Sequence, residues 1–239
     1  AMNTTNPGKL PQSNAEINRL ATAGCELVRL AVPDMAAAKA IKAIKERAMI
    51  PLIADIHFDY RLALEAIDSG IDGLRINPGN IGSIEKVVKV VEKAKPKLIP
   101  IRIGVNAGSL PQHVLDAHGG HPTADGMVET ALEHIRILES LEYDQMKVSI
   151  KATDVPLMIE AYRKLSSKIP YPLHLGVTEA GTIKQGTIKS AIGIGTLLAD
   201  GIGDTIRVSL TGDPIHEVEV AKTILSSLEL RSFGATMIS

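Results

Sequence analysis

The sequence predicts an α/β fold: a (β/α)8 TIM barrel whose first strand is largely missing from the chain. Short runs rich in branched aliphatics alternate with longer stretches of helical periodicity along the 239 residues. The runs read as strands buried on both faces, the mark of a parallel sheet covered by helices. The length is close to the ~250 residues typical of such a barrel. An open doubly wound sheet is the alternative architecture, but no Gly-x-Gly-x-x-Gly follows an early strand to favour it.

Taken in order, strands are predicted near 27–32, 50–56, 73–77, 98–103, 146–150, 172–177 and 204–209. The opening Ala-Met-Asn-Thr-Thr-Asn reads as the end of strand one. Ser13-Asn14-Ala15-Glu16 has the form of a capping box that opens the first helix. Asp34 is placed to cap the Ala/Ile/Lys run to Arg47, and Ser83 the Val-rich run to Lys95. Further helices fit 60–69, 125–141, 154–168, 183–199 and 214–229. Pro51, Pro100 and Pro172 stand at strand starts, where losing a donor costs least. The connection 104–124 is polar and Gly-rich, and its length predicts a functional lid rather than a simple link. His113, His118 and His121 within it match no dense ligand spacing, so no metal is expected there.

Composition narrows the function classes. With 26 basic and 27 acidic residues the net charge is −1, which argues against a general nucleic-acid surface. Two Phe and no Trp argue against base-stacking platforms. No apolar stretch approaches the ~18 residues of a membrane span. Cys25, the only cysteine, makes no intrachain disulfide and cannot hold an iron–sulfur cluster alone.

The chemistry lies in four arginines, each alone within an apolar run: Arg29, Arg75, Arg102 and Arg207. Neighbouring side chains on a strand point to opposite faces, so if the aliphatics face the helices the arginines face the interior. Lys151 adds a fifth cation. Arginine is almost never buried unpaired, so this pattern predicts a strongly anionic ligand, and guanidinium forks match phosphate oxygens. Ion-pair layers plugging the barrel are the alternative for any single arginine. Asp55 and Glu179 at strand ends offset only part of the charge and form a candidate acid–base dyad. Lys151 with a depressed pKa would also suit a Schiff base, so a lysine-dependent aldolase acting on a phosphosugar stays open. A non-catalytic phosphate-binding domain is the third reading. Ser149 lacks a His-Asp partner at any recognisable motif.

The strand-end motifs Val-Arg29-Leu-Ala-Val-Pro-Asp, Ala-Asp55-Ile-His57-Phe-Asp-Tyr and Leu-Arg75-Ile-Asn77-Pro-Gly-Asn80 are joined by Ile-Arg102-Ile-Gly-Val-Asn106. After them come Val-Ser149-Ile-Lys151-Ala, His174-Leu-Gly-Val-Thr-Glu179-Ala-Gly and Ile-Arg207-Val-Ser209-Leu-Thr-Gly-Asp-Pro. In that order, from about residue 16 onward, they resemble the 4-hydroxy-3-methylbut-2-enyl diphosphate synthases. The resemblance implies a barrel that holds 2-C-methyl-D-erythritol 2,4-cyclodiphosphate, with Arg29, Arg75, Arg102, Lys151, Arg207 and Ser209 on the phosphates. It implies that His57, Asn77, Asn106 and Asp55 hold or orient the substrate, and that Glu179 is the acid near the reacting carbon. Reductive ring opening with loss of water is carried in that family by a [4Fe–4S] cluster, held by three Cys and a Glu of a C-terminal domain. The chain stops at Ala-Thr-Met-Ile-Ser239, about where the first of those cysteines would follow, and holds none of those ligands. The resemblance therefore assigns 1–239 to the barrel alone, inactive without its cluster domain. It further implies a homodimer when full length, a ferredoxin or flavodoxin as electron donor, and a bacterial cytoplasm or plastid stroma as location.

Overall fold

The computed structural model describes residues 1–3, 10–77 and 79–234. Residues 4–6 of the opening segment and the final stretch 235–239 discussed above lie outside the described residues.

Strands β1 (Val28–Ala31), β2 (Leu52–Asp55), β3 (Gly73–Ile76), β4 (Ile101–Asn106) and β5 (Met146–Lys151) form one parallel sheet in that order. β6 (His174–Leu175) and β7 (Thr205–Ile206) make a parallel pair, and a bridge from Val148 to Leu173 joins the two sheets. At that thin joint the buried Tyr162 hydroxyl accepts from Ile150 N at 3.1 Å and donates to His174 O at 2.6 Å. On the other side of β1, Met2 bridges Arg29 in parallel, and Asn3 N donates to Arg29 O at 2.9 Å. Met2 Sδ lies 3.9 Å from Arg207 Nη2, so residues 1–3 occupy the place where an eighth strand closes the ring.

Around the strands run α1 (Leu10–Thr22), α2 (Met35–Lys45), α3 (Tyr60–Asp68), α4 (Ile84–Ala94), α5 (Gln112–Ala117), α6 (Ala124–Ser140), α7 (Val155–Ser166), α8 (Ile183–Ala199) and α9 (Pro214–Ser227). α1 packs on both α2 and α9, and Arg19 of α1 pairs with Asp213 at 2.7 Å. Period-two alternation sorts the strand residues. Leu30, Leu52, Leu74, Ile76, Ile101, Ile103 and Val148 are fully buried in the shared core. Each such side chain contributes about 1.5–3 kcal/mol on burial. The residues between them point inward. Helix starts are fixed by Asp34, Thr123 and Asp154, whose side chains accept from Ala37 N, Gly126 N and Leu157 N. Pro51, Pro100 and Pro172 lack donors, yet their carbonyls accept from Val28 N, Leu74 N and Val148 N.

Five expectations are corrected. α1 is already helical at Leu10, so Ser13 and Glu16 lie within it, buried, and do not open it. Ser83 stands at the N-cap of α4 but makes no side-chain bond to its backbone. β4 runs to Asn106 rather than ending at 103, because Arg102, Gly104 and Asn106 continue the inward face through the glycine. The connection expected to be open over 104–124 therefore holds the end of β4, a 3-10 turn at Ala107–Ser109, and α5. β6 and β7 are each two residues long, much shorter than the runs 172–177 and 204–209 that announced them.

Candidate active site

The inward side chains converge on a cavity of about 400 Å3 at the carboxyl ends of the strands. Arg29, Arg75, Arg102, Lys151 and Arg207 all line it, and so do Asp55, His57, Asn106, Glu179 and Ser209. Register explains the grouping: Asp55 pairs with Arg75, Arg75 with Arg102, and Asn106 with Lys151 across adjacent strands. Of the predicted site residues only Asn77 does not line the cavity. It is buried, and its Oδ1 accepts from Gly79 N at 3.1 Å to close the turn after β3. Beneath that turn lies the buried His134 of α6, whose Nε2 would be 2.9 Å from a Cβ at Gly79.

Charge is distributed unevenly. Asp55, 2 % exposed, takes Arg75 Nη1 on Oδ1 at 3.1 Å, with Arg29 Nε at 3.3 Å and His57 Nε2 at 3.4 Å from Oδ2. Burial alone would push this carboxyl up, but the His57 bond and the Arg29 and Arg75 charges hold it well below the usual carboxylate range. It is thus a fixed anion that orders two arginines, not a proton donor. Arg102 is buried, and its Nε has no hydrogen-bond partner among the described residues. Desolvation, with Arg29 and Arg75 beside it, lowers its pKa to about 9; for Arg29 desolvation brings it to about 10 against the pull of Asp55. Both stay charged at neutral pH. Lys151 is buried without a carboxylate, and desolvation together with the four arginines drives its amine well below the ordinary lysine value. Two unit charges 4 Å apart repel by about 4 kcal/mol at an effective dielectric near 20, so the cavity is built for an anion.

Glu179 lies exposed at the mouth with a left-handed backbone, φ 51°, in the turn after β6. An L-residue pays roughly 1–2 kcal/mol for that conformation, and such strain gathers at functional positions. The turn is tied to its neighbour by Thr211 N donating to Gly181 O at 3.0 Å.

Residues 1–222 match the GcpE TIM-barrel domain family. The chain belongs to it. Among its relatives is the 4-hydroxy-3-methylbut-2-en-1-yl diphosphate synthase (flavodoxin) of Geobacter sulfurreducens, 63% identical over 224 residues, covering 94% of this chain and 63% of that protein. The protein of the same name from Bacillus subtilis is 58% identical over 239 residues, covering all of this chain and 63% of the relative. The chain thus spans somewhat under two thirds of the length of these relatives. Dihydropteroate synthase from Yersinia pestis has the same fold, with a TM-score of 0.64 at 14% identity over 92% of this chain and 90% of that one.

Two contributors to this GcpE barrel site escaped the sequence reading. Gly104 on β4 leaves the space that Arg75 fills: a Cβ there would stand 2.5 Å from Arg75 Nε and 2.8 Å from Nη2. Gly176 does the same for Lys151, with a Cβ 2.8 Å from Nζ and 2.5 Å from Arg207 O. A glycine inside a strand, two places from an inward arginine, is the signal that would have marked Gly104. Among the described residues of the GcpE barrel no three His, Cys, Asp or Glu side chains gather in a way that could hold a metal. His118 and His113 instead lie 2.8 Å and 3.6 Å from the carboxylates of Glu129 and Glu133, and His121 contacts Gly119 O. No described helix is long and apolar enough to cross a membrane.

Proposed function

We propose that this chain is the substrate-holding barrel of a 4-hydroxy-3-methylbut-2-en-1-yl diphosphate synthase, and that its cavity takes 2-C-methyl-D-erythritol 2,4-cyclodiphosphate. The observation that carries this reading is the surplus of basic side chains over acidic ones. Arg29, Arg75, Arg102, Arg207 and Lys151 surround one cavity against a single buried carboxylate, Asp55, in its lining. A diphosphate supplies the missing negative charge, and the forked guanidinium groups suit its oxygens. Arg102 and Lys151, which no carboxylate neutralises, take the largest share. Arg29 and Arg75, already aligned by Asp55, add pre-oriented donors, with Ser209 and Asn106 completing the polar lining.

The overall change in this reading consumes two electrons and two protons, opens the cyclic diphosphate and releases one water. Glu179, at the mouth, is the group placed to pass a proton to the departing oxygen. The described residues do not fit the implied [4Fe–4S] cluster: Cys25 is the only cysteine, is buried, and gives its thiol to Leu27 O at 3.1 Å away from the cavity. We assign the cluster to protein beyond this barrel, and no step is derived through it. A flavodoxin as electron donor, supported by the names of the relatives, and a cytoplasmic location, supported by their bacterial sources, belong to the proposal, as does a homodimer of the full-length enzyme.

Calorimetric titration with the cyclodiphosphate, with inorganic diphosphate as control, tests the reading. Micromolar binding well above that of diphosphate supports it; equal affinity for both reduces the site to a general phosphate binder. The depressed amine of Lys151 favours one competing reading, a Schiff-base enzyme. A borohydride-trapped adduct at Lys151 with a phosphosugar would establish that reading and sink ours.

A further inference from the structure

Three of the four arginines are held by acids, but only two of them by Asp55. The third, Arg207, has its counter-ion outside the cavity lining. Glu217, in the first turn of α9, is 7 % exposed, and its Oε1 lies 3.8 Å from Arg207 Nη2. The same Oε1 accepts from Leu210 N at 3.1 Å. Oε2 has no hydrogen-bond partner among the described residues. A buried carboxylate with one unsatisfied oxygen is costly unless a charge compensates it, and Arg207 is the cation within reach.

The contacts of Glu217 extend in two directions. Through Leu210 N it fixes the stretch Ser209–Thr211, all three residues of which line the cavity. Through Thr211 N, bonded to Gly181 O, that stretch holds the turn in which Glu179 takes its left-handed conformation. Packing tightens the same link, since a Cβ on Gly186 of α8 would collide with Leu210 Cδ2 and lie 3.3 Å from Gly181 O. One carboxylate thus stands behind both an anion-gripping arginine and the loop pair that presents the acid.

We infer that Glu217 is a positioning residue of the anion site: it sets Arg207 and the Ser209–Thr211 loop for the incoming phosphate without touching the ligand itself. The inference rests on the anion-binding reading above and deepens it. The physical logic is preorganisation, in which Arg207 is held in place, despite repulsion from Arg29, before any ligand arrives.

The test combines residue-resolved amide exchange with titration of inorganic diphosphate on the protein and on Glu217→Ala, Glu217→Gln, Arg207→Ala and the two double variants Glu217→Ala/Arg207→Ala and Glu217→Gln/Arg207→Ala. Expected for Glu217→Ala are loss of protection at Leu210 N and about tenfold weaker diphosphate binding, shrinking to the roughly threefold share carried by the Ser209–Thr211 loop when Arg207 is already alanine. Glu217→Gln keeps an oxygen acceptor for Leu210 N, so protection there stays. Its loss of affinity, about threefold, vanishes in an Arg207→Ala background. This variant carries the test if the alanine form fails to fold. A merely structural role would lower thermal stability and leave diphosphate affinity unmoved, or add its whole effect to that of Arg207→Ala. Either result, or unchanged protection at Leu210 in Glu217→Ala, overturns the inference. If the unmodified protein binds no diphosphate, the anion-binding reading is what fails, and exchange at Leu210 and Thr211 still decides whether Glu217 sets the loop.

Discussion

Replacing Gly104 by alanine asks whether the empty side of β4 is what lets Arg75 work. The new methyl carbon would stand 2.5 Å from Arg75 Nε, 2.8 Å from Nη2 and 3.0 Å from Cζ. Ordinary non-bonded contacts need about 3.5–4.0 Å, so the guanidinium must retreat by about 1 Å. Arg75 is 8 % exposed and flanked in register by Asp55 and Arg102, so no open space receives it. Its 3.1 Å bond to Asp55 Oδ1 would stretch to about 4 Å, beyond hydrogen-bonding range. Loss of one charge-assisted bond is worth about 1.5–3 kcal/mol. For a chain of this size that corresponds to a fall in melting temperature of roughly 3–12 °C. Calorimetry with inorganic diphosphate should show affinity lower by tenfold or more, about 1.4 kcal/mol or above. Parallel thermal melts followed by circular dichroism report the stability. A Gly104→Ala protein that binds diphosphate as tightly as the parent and melts at the same temperature would refute the assignment of Gly104 as the seat of Arg75.

Other consequences are equally open to measurement. Lys151→Met should raise the melting temperature at neutral pH while weakening diphosphate binding, because a buried amine with a depressed pKa binds fewer protons folded than unfolded. That penalty fades as pH rises toward the ordinary lysine value of 10.5, so the gain should shrink in alkaline melts, and a gain constant with pH would contradict it. Since a bound anion favours the charged amine, diphosphate titrations in buffers of different ionisation enthalpy should reveal proton uptake, absent in Lys151→Met. His134, lowered to about 4 by burial, stays neutral when folded but takes a proton when unfolded below its ordinary 6.5. Stability should therefore fall by up to ~3 kcal/mol as pH drops from 6.5 to 4, and His134→Gln should flatten that limb of the curve. Glu179→Gly should stabilise the fold by about 1 kcal/mol through relief of the left-handed conformation while abolishing turnover in the full-length enzyme; unchanged turnover would remove Glu179 from the chemistry.

The sequence by itself determined the barrel, the places of its strands and the electrostatic character of its interior. A parallel strand covered by helices must be apolar on its outer face, so a lone arginine among aliphatics has one place left to point. Arg29, Arg75, Arg102 and Arg207 could therefore be assigned to a common interior from period two alone, and Lys151 with them. What lay beyond reach were relations between residues far apart in the chain or set by backbone angles. Asn77 carries the right motif and yet spends its side chain on its own turn. Asp55, readable as an acid, is held ionised by partners from β1 and β3. Glu217 sits in the first turn of the last helix with no motif to mark it, and only the packing of α9 against the strand ends brings it to Arg207. Met2 closes the ring between Arg29 and Arg207, 205 residues apart from the latter. Periodicity decides which face a side chain takes, whereas the partner it meets there depends on register, closure and the few ångströms left by a glycine, and those exist only in the folded state.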